Sequence, residues 1–319
     1  MIDFRYHIVS IVSIFLALAV GIVLGAGPLQ GELGSTLANE VSGLREDKVN
    51  LNEQLDDATT GIEARDGYIG ESAPLVLDGI LADRAVAVVV LPGLDAGVVD
   101  TLDATLRSTG ARLVSTTTVD EDWVSTDEET TVARDEAVST VATEAGIDLS
   151  DTGSASGGDS LLSALLANPV GQPGVPLDSE TAAAGLATLA DAGLVQIDTQ
   201  DFARADLVVV AGGEIVPGTD EDSEIAQRWV DLVVAIDARS AGALVAGQIP
   251  AGGEGAGSLV AAVRNDTAAV EVVSTVDDSA DPMGQSSVAH GLLQQDDGGV
   301  GHYGFAAGAD APYAPIPAP

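Results

Sequence analysis

Few side chains in this sequence are suited to binding a metal ion or moving a proton. It contains three histidines, His7, His290 and His302, no cysteine, and one methionine after Met1, Met283. Disulfides, thiolate metal sites and cysteine nucleophiles are thereby excluded. Neutral imidazole is the strongest transition-metal ligand left, and hard carboxylates are its nearest complement. The best candidate set is therefore His290 and His302 with the adjacent Asp277 and Asp278. His302, in Gly-His-Tyr-Gly, reads either as part of a structural turn or as a metal or partner contact. Asp277 and Asp278 read either as cation ligands or, the stronger reading, as caps for the helix that follows. Phosphate-binding and nucleophile motifs are lacking: there is no G-x-G-x-x-G, no Walker A loop and no G-x-S-x-G. Gly212-Gly213 is followed by Glu214, where a bound anion would sit, and reads as a tight turn into a helix. The chain is not expected to be an enzyme, and no cofactor is called for.

The elements that would position these residues begin near Arg84. Apolar runs at 85–91, 111–115, 194–198, 206–211, 242–246 and 269–273 alternate with helical stretches such as 94–108, 221–238 and 257–263. Several runs are continuously apolar, which fits strands covered on both faces. The fold class that follows is α/β, a doubly wound and mainly parallel sheet flanked by helices. Residues 126–191 read as a mostly helical excursion, with a Gly/Ser loop at 153–158 and a Pro/Gly loop at 169–176. Candidate chemistry belongs beyond the carboxyl ends of the strands, which is where 91–93, 211–214, 246–248 and 274–278 fall.

Upstream of that domain, no charged residue occurs between Arg5 and Glu32. The heart of this gap, 8–26, contains Ile8, Phe15, Leu18, Gly21 and Gly25 and meets the requirement of about 20 apolar residues for a bilayer span. Gly21 and Gly25 form a GxxxG pair that would let two spans approach closely. A cleaved signal peptide is the rival reading. Its apolar region is usually about 7–15 residues behind a basic start, whereas this run is longer and Asp3 offsets Arg5. With Arg5 before the span and acidic sequence after it, the N-terminus is expected in the cytoplasm and the remainder outside. Next, Leu37, Val41, Leu44, Lys48, Leu51, Leu55, Ala58 and Ile62 recur at alternating spacings of four and three. This heptad seam predicts a parallel homodimer, with Lys48 at an a position fixing register. The expected organisation is an anchor over 1–27, a coiled-coil stalk over 28–68, an exported α/β domain over 69–305 and a Pro-rich, disordered tail over 306–319. The formal net charge of −38, with only eleven Arg and one Lys among the cations, disfavours nucleic acid and anionic lipid surfaces as partners.

The opening IDFRYHIVSIVSIFLALAVGIVLGAGPL resembles the start of the actinobacterial MctB family, known as copper-transport outer-membrane proteins. ADLVVVAGG at 205–213, STVDD at 274–278 and GGVGHYG at 298–304 are similar as well. The resemblance implies a role in copper efflux or homeostasis, with a pore in the outer envelope as the suggested means. Relatives in corynebacteria imply an alternative, a dimeric envelope scaffold acting on cell-wall remodelling or cell separation through an envelope protein partner. The residues fit the envelope location better than the pore. Barrel strands need about ten residues of alternating polarity and aromatic girdles, and aromatics make up only 3% of this chain. Copper is expected to bind weakly. Soft Cu(I) prefers Cys and Met, and an acidic surface collects divalent ions diffusely.

Overall fold

The computed structural model describes residues 4–26, 29–149, 156–168, 177–198, 201–213, 215, 220–248 and 257–316. Chain contacts divide it into two compact units, Met1–Arg65 and Asp66–Pro319.

In the first unit, helix α1 runs Phe4–Ala26. It is the one helix among the described residues that is long and apolar enough to cross a membrane. Ile8, Phe15 and Leu18 are exposed on it, and a Cβ placed on Gly21 or Gly25 would meet nothing within 4 Å. Ser13 Oγ donates to the Val9 carbonyl at 2.8 Å, so its hydroxyl is satisfied inside the helix without water. Helix α2 spans Leu29–Val76, and its residues from Asp66 onward belong to the second unit. Leu37, Val41, Leu44, Leu51, Leu55 and Ile62 are all exposed along it. Gly27 and Pro28, at the expected boundary between anchor and stalk, lie outside the described residues.

The second unit is mixed α/β around a seven-stranded, mostly parallel sheet. Its strands are β1 (Ala85–Val90), β2 (Arg112–Val119), β3 (Val195–Ile197), β4 (Leu207–Ala211), β5 (Gly242–Ala246), β6 (Ser274–Val276) and β7 (His302–Tyr303), ordered β3-β2-β1-β4-β5-β6-β7. Only β3, at one edge, pairs antiparallel. The continuous apolar runs have a direct physical cause. Ala85, Ala87 and Val89 of β1 enter one core cluster, while Val86, Val88 and Val90 enter the other. β4 and β5 divide in the same way, Val208, Val210, Ala243 and Val245 against Leu207, Val209, Leu244 and Ala246. With side chains alternating across a pleated strand, burial of both faces requires every position to be apolar.

Helices α3 (Ala96–Ser108) and α9 (Pro282–Asp296) supply Leu102, Leu106, Val288 and Leu292 to one cluster. The other is filled by α4 (Glu128–Ala145), α5 (Gly157–Leu166), α6 (Ser179–Asp191), α7 (Asp220–Asp237) and α8 (Leu259–Asn265). The helical excursion thus belongs to the main core. Part of the acidity works locally. Asp95, Asp127 and Asp178 cap α3, α4 and α6 by accepting from Gly97, Thr130 and Thr181 N–H at 2.8, 3.0 and 2.7 Å.

Several expectations need correction. The run 269–273 is not a strand; Ala269–Glu271 forms a 3-10 turn and the strand begins at Ser274. Apolar Val272 and Val273 drew the reading upstream, because the true strand starts with polar residues. β2 extends to Val119, beyond the predicted 111–115, since alternate residues Ser115, Thr117 and Val119 face inward. Residues 306–316 are not a loose tail. Ala311 bridges to Tyr303, and Ala314 is buried, its N–H donating to Ser287 Oγ at 3.2 Å. Of the Gly/Ser loop expected at 153–158, residues 153–155 lie outside the described residues, while Gly157 and Gly158 open α5 behind the cap Ser156; the loop at 169–176 lies wholly outside them.

The loops after β1 and β4 touch backbone to backbone, and a Cβ on Gly213 would fall on the Gly93 carbonyl and 2.8 Å from Leu94 N. Neither partner is a flexible side chain. Gly213→Ala is therefore expected to lower stability by about 1–3 kcal/mol, read as a fall in the thermal midpoint of the detergent-solubilised chain.

Candidate functional site

Asp277, Asp278 and His302 lie at or beside β6, whereas His290 lies on α9, and the four do different work. Arg264, at the end of α8, is buried and reaches across to β6 and β7. Its Nε donates to Thr275 Oγ1 at 2.8 Å, Nη1 to Asp277 Oδ2 at 2.6 Å and Nη2 to the Tyr303 carbonyl at 2.8 Å. Asp277 accepts two further bonds, from Phe305 N–H at 2.8 Å and Ala306 N–H at 3.0 Å. Its carboxylate is thus spent on the protein itself. Gly304 fits beside it because any Cβ there would collide with the Asp277 carboxylate, and its φ of +123° suits only glycine.

His302 is similarly committed. Its Nε2 lies 3.1 Å from the Val270 carbonyl, an acceptor only, so that nitrogen carries the proton. Its Nδ1 is then the acceptor for the Thr275 hydroxyl at 3.0 Å, which in turn receives the Arg264 Nε–H. Burial, the main cause, lowers the pKa of this ring and favours the neutral form. Both nitrogens are occupied, which leaves no lone pair for a metal and selects the structural reading of Gly-His-Tyr-Gly.

Asp278 and His290 remain. Both carboxylate oxygens of Asp278 are buried without a hydrogen-bond partner. Desolvation first, then the neighbouring carboxylates of Asp277 and Asp281, push its pKa up to about 6. His290, in the middle of α9, sets Nδ1 against the Ser286 carbonyl at 2.9 Å, while its Nε2 has no partner. Among the described residues, no three His, Asp or Glu side chains converge on one point as a metal centre. The four candidates therefore fall into one saturated pair and two separate unpaired groups. The capping expectation also fails. Asp281 occupies the N-cap of α9 without a side-chain cap bond, and Asp277 binds the 305–306 loop instead. Arg264 was missed from sequence. The only signal was a cation closing the otherwise apolar stretch Leu259-Val260-Ala261-Ala262-Val263.

With this geometry in hand, comparison with known proteins is informative. A family model described as "Copper transport outer membrane protein, MctB" matches residues 1–314. The chain belongs to the MctB family. Proteins named "Copper transporter MctB" from Mycobacterium tuberculosis (strain H37Rv) and Mycobacterium bovis are 27% identical over 316 residues, covering 97% of this chain and 98% of each relative. One of the same name from Mycobacterium leprae is 28% identical over 322 residues, with the same coverage. The N-terminal apolar helix fits a membrane-anchored member of the family. The segments that carried the resemblance to MctB are largely scaffold in this chain. ADLVVVAGG contains β4 and the glycine packed on Gly93, STVDD contains β6 and the partner of Arg264, and GGVGHYG leads from α9 into β7.

The Asp278 carboxyl makes stability depend on pH. A carboxyl whose folded pKa is raised from 3.8 to about 6 binds its proton more tightly when folded. Its stabilising contribution is full below about 3.8 and is lost as pH rises through about 6. Asp278→Asn is expected to raise stability at pH 7 by on the order of 1–3 kcal/mol and to leave it little changed at pH 4. Thermal midpoints measured from pH 4 to 7.5 should show the flatter profile in the variant. Asp237, also pushed up to about 6 by burial, retains its share of the slope in both proteins.

Proposed function

We propose that this chain is a non-enzymatic, membrane-anchored protein of the cell envelope that works in copper efflux or homeostasis. Family membership along residues 1–314, with relatives named as copper transporters, is the observation that carries the reading. The short N-terminus is placed in the cytoplasm and the α/β domain outside, because Arg5 precedes an uncharged span that acidic sequence follows. The strand order, with β2 and β4 flanking β1, supports a doubly wound reading of that domain. One helix does not enclose a channel, so any conduction requires several spans to assemble, and the exposed GxxxG face of α1 suits such packing.

A homodimer through the stalk is part of the same reading. The seam residues from Leu37 to Ile62 are exposed in the single chain, and apolar side chains at a and d positions are stabilised by pairing with a second copy. Lys48 at an a position favours two chains in fixed register at some loss of stability.

Two experiments test these proposals. Deleting the gene should lower copper tolerance, and the intact chain supplied in trans should restore it. Unchanged tolerance together with a chaining or septation defect would instead favour the cell-separation scaffold. Cysteines introduced singly at Leu44 or Leu51 should form disulfide-linked dimers in isolated membranes, while one at the exposed Glu53 should crosslink far less. Equal crosslinking at all three positions would rule out the seam.

A further inference from the structure

A cavity of about 200 Å³ lies between the end of α2, helix α9 and residues 313–316. Its walls are mainly apolar, with Ile69, Val76, Ala314 and Ile316 among them, and no lining residue carries an acidic or permanently cationic side chain. His290 lines it, and its residue surface is 4% exposed. The Ser286 carbonyl only accepts hydrogen bonds, so Nδ1 of His290 holds the proton and Nε2 carries a bare lone pair. That nitrogen is buried and unpartnered. The nearby hydroxyls do not supply a proton to it. Ser72, Ser286 and Ser287 donate to the carbonyls of Ile69, Pro282 and Met283 at 3.1, 3.0 and 2.9 Å.

Met283 lines the same cavity. It stands seven residues before His290 and at the second position of α9, so both fall on one helix face. A histidine whose second ring nitrogen is held by a backbone carbonyl is the usual arrangement for a metal ligand, because the bond fixes both tautomer and ring direction. The thioether is the softest donor in the chain after its complete lack of cysteine.

We infer that this cavity is a Cu(I) site, with His290 Nε2 and the Met283 thioether as its protein ligands. The inference rests on the copper reading above and assigns it a location. The monovalent ion is favoured for two reasons. Cu(I) takes soft thioether and imidazole donors, whereas Cu(II) seeks tetragonal sets of nitrogen and oxygen. A divalent charge in a mainly apolar cavity without a carboxylate would also have no counter-charge to offset its desolvation. The protein's part is to aim the two donors; binding involves no electron transfer.

The test uses the full chain in detergent under anaerobic conditions, with Cu(I) supplied from a chromophoric Cu(I) chelator. One equivalent should bind to the unsubstituted chain. Met283→Leu, which keeps volume and apolarity, should weaken binding at least tenfold, and His290→Gln should reduce it to background. X-ray absorption at the copper edge should show sulfur and nitrogen scatterers in the unsubstituted chain and no sulfur in Met283→Leu. Equal affinity in Met283→Leu, or a spectrum with only nitrogen and oxygen neighbours, overturns the site regardless of how His290→Gln folds. A deletion strain that is copper-sensitive yet fully rescued by the double variant would also overturn it while leaving the copper function intact. A strain indifferent to copper, with the chain still binding Cu(I) through His290 and Met283, would overturn the function and leave the site.

Discussion

One buried ion pair, Arg264 with Asp277, holds the sheet's β6–β7 end together. Both side chains are 2% exposed, at 2.6 Å. Isolated burial of either charge costs several kcal/mol, and truncating one member of such a pair typically costs about 3–5 kcal/mol because the other is left uncompensated. The pair persists because its remaining donors and acceptors are also used. Arg264 binds Thr275 and the Tyr303 carbonyl, and Asp277 holds the Phe305 and Ala306 amides. β7 is only two residues long, too short to stay paired by its own ladder. It is kept beside β6 by the guanidinium, which binds the Tyr303 carbonyl, and by the His302–Thr275 bond. The 305–311 segment then folds back, with Gly304 N–H donating to the Ala311 carbonyl at 3.0 Å.

Hydrogen bonds around the pair and beyond it let β6 carry polar residues where the central strands are apolar. Ser274 and Thr275 are fully buried. Such a strand is stable only if each hydroxyl has a partner. Ser274 Oγ accepts from Gln295 Nε2 at 2.9 Å and from Gly301 N–H at 3.1 Å, and Thr275 is placed between Arg264 and His302. The partners come from α8, α9 and the 298–304 loop, up to 27 residues away. Apolar periodicity reports burial by hydrophobic contact and says nothing of burial by a satisfied network. For that reason β1, β4 and β5 were legible in the sequence, whereas β6 was read several residues too early.

The histidines illustrate the same limit. His290 and His302 are equivalent as ligand types, and both end up buried. What separates them is the second ring nitrogen. In His302 it meets the Thr275 hydroxyl, while in His290 it meets only cavity wall. Neither neighbour is adjacent in sequence, so composition could nominate the pair and only tertiary structure could divide it. Met283 is visible in the sequence as the one thioether after Met1. Its relation to His290, two helical turns on one face of α9, acquires meaning once the cavity is seen.

The heptad count along α2 adds a final constraint. Ile69 and Val76 follow Ile62 at seven-residue intervals, and Ser72 falls at the next d position after Ala58 and Arg65. Ile69, Ser72 and Val76 all line the His290 cavity. The corresponding heptad positions upstream begin Leu37, Leu44, Leu51, all with large side chains. At Ser72 the d position is small, and its hydroxyl turns back to the Ile69 carbonyl. A leucine there would project four carbon atoms into a space of about 200 Å³. A small residue at this point of α2 thus leaves room beside the unpaired imidazole of His290, space that a larger side chain would take up.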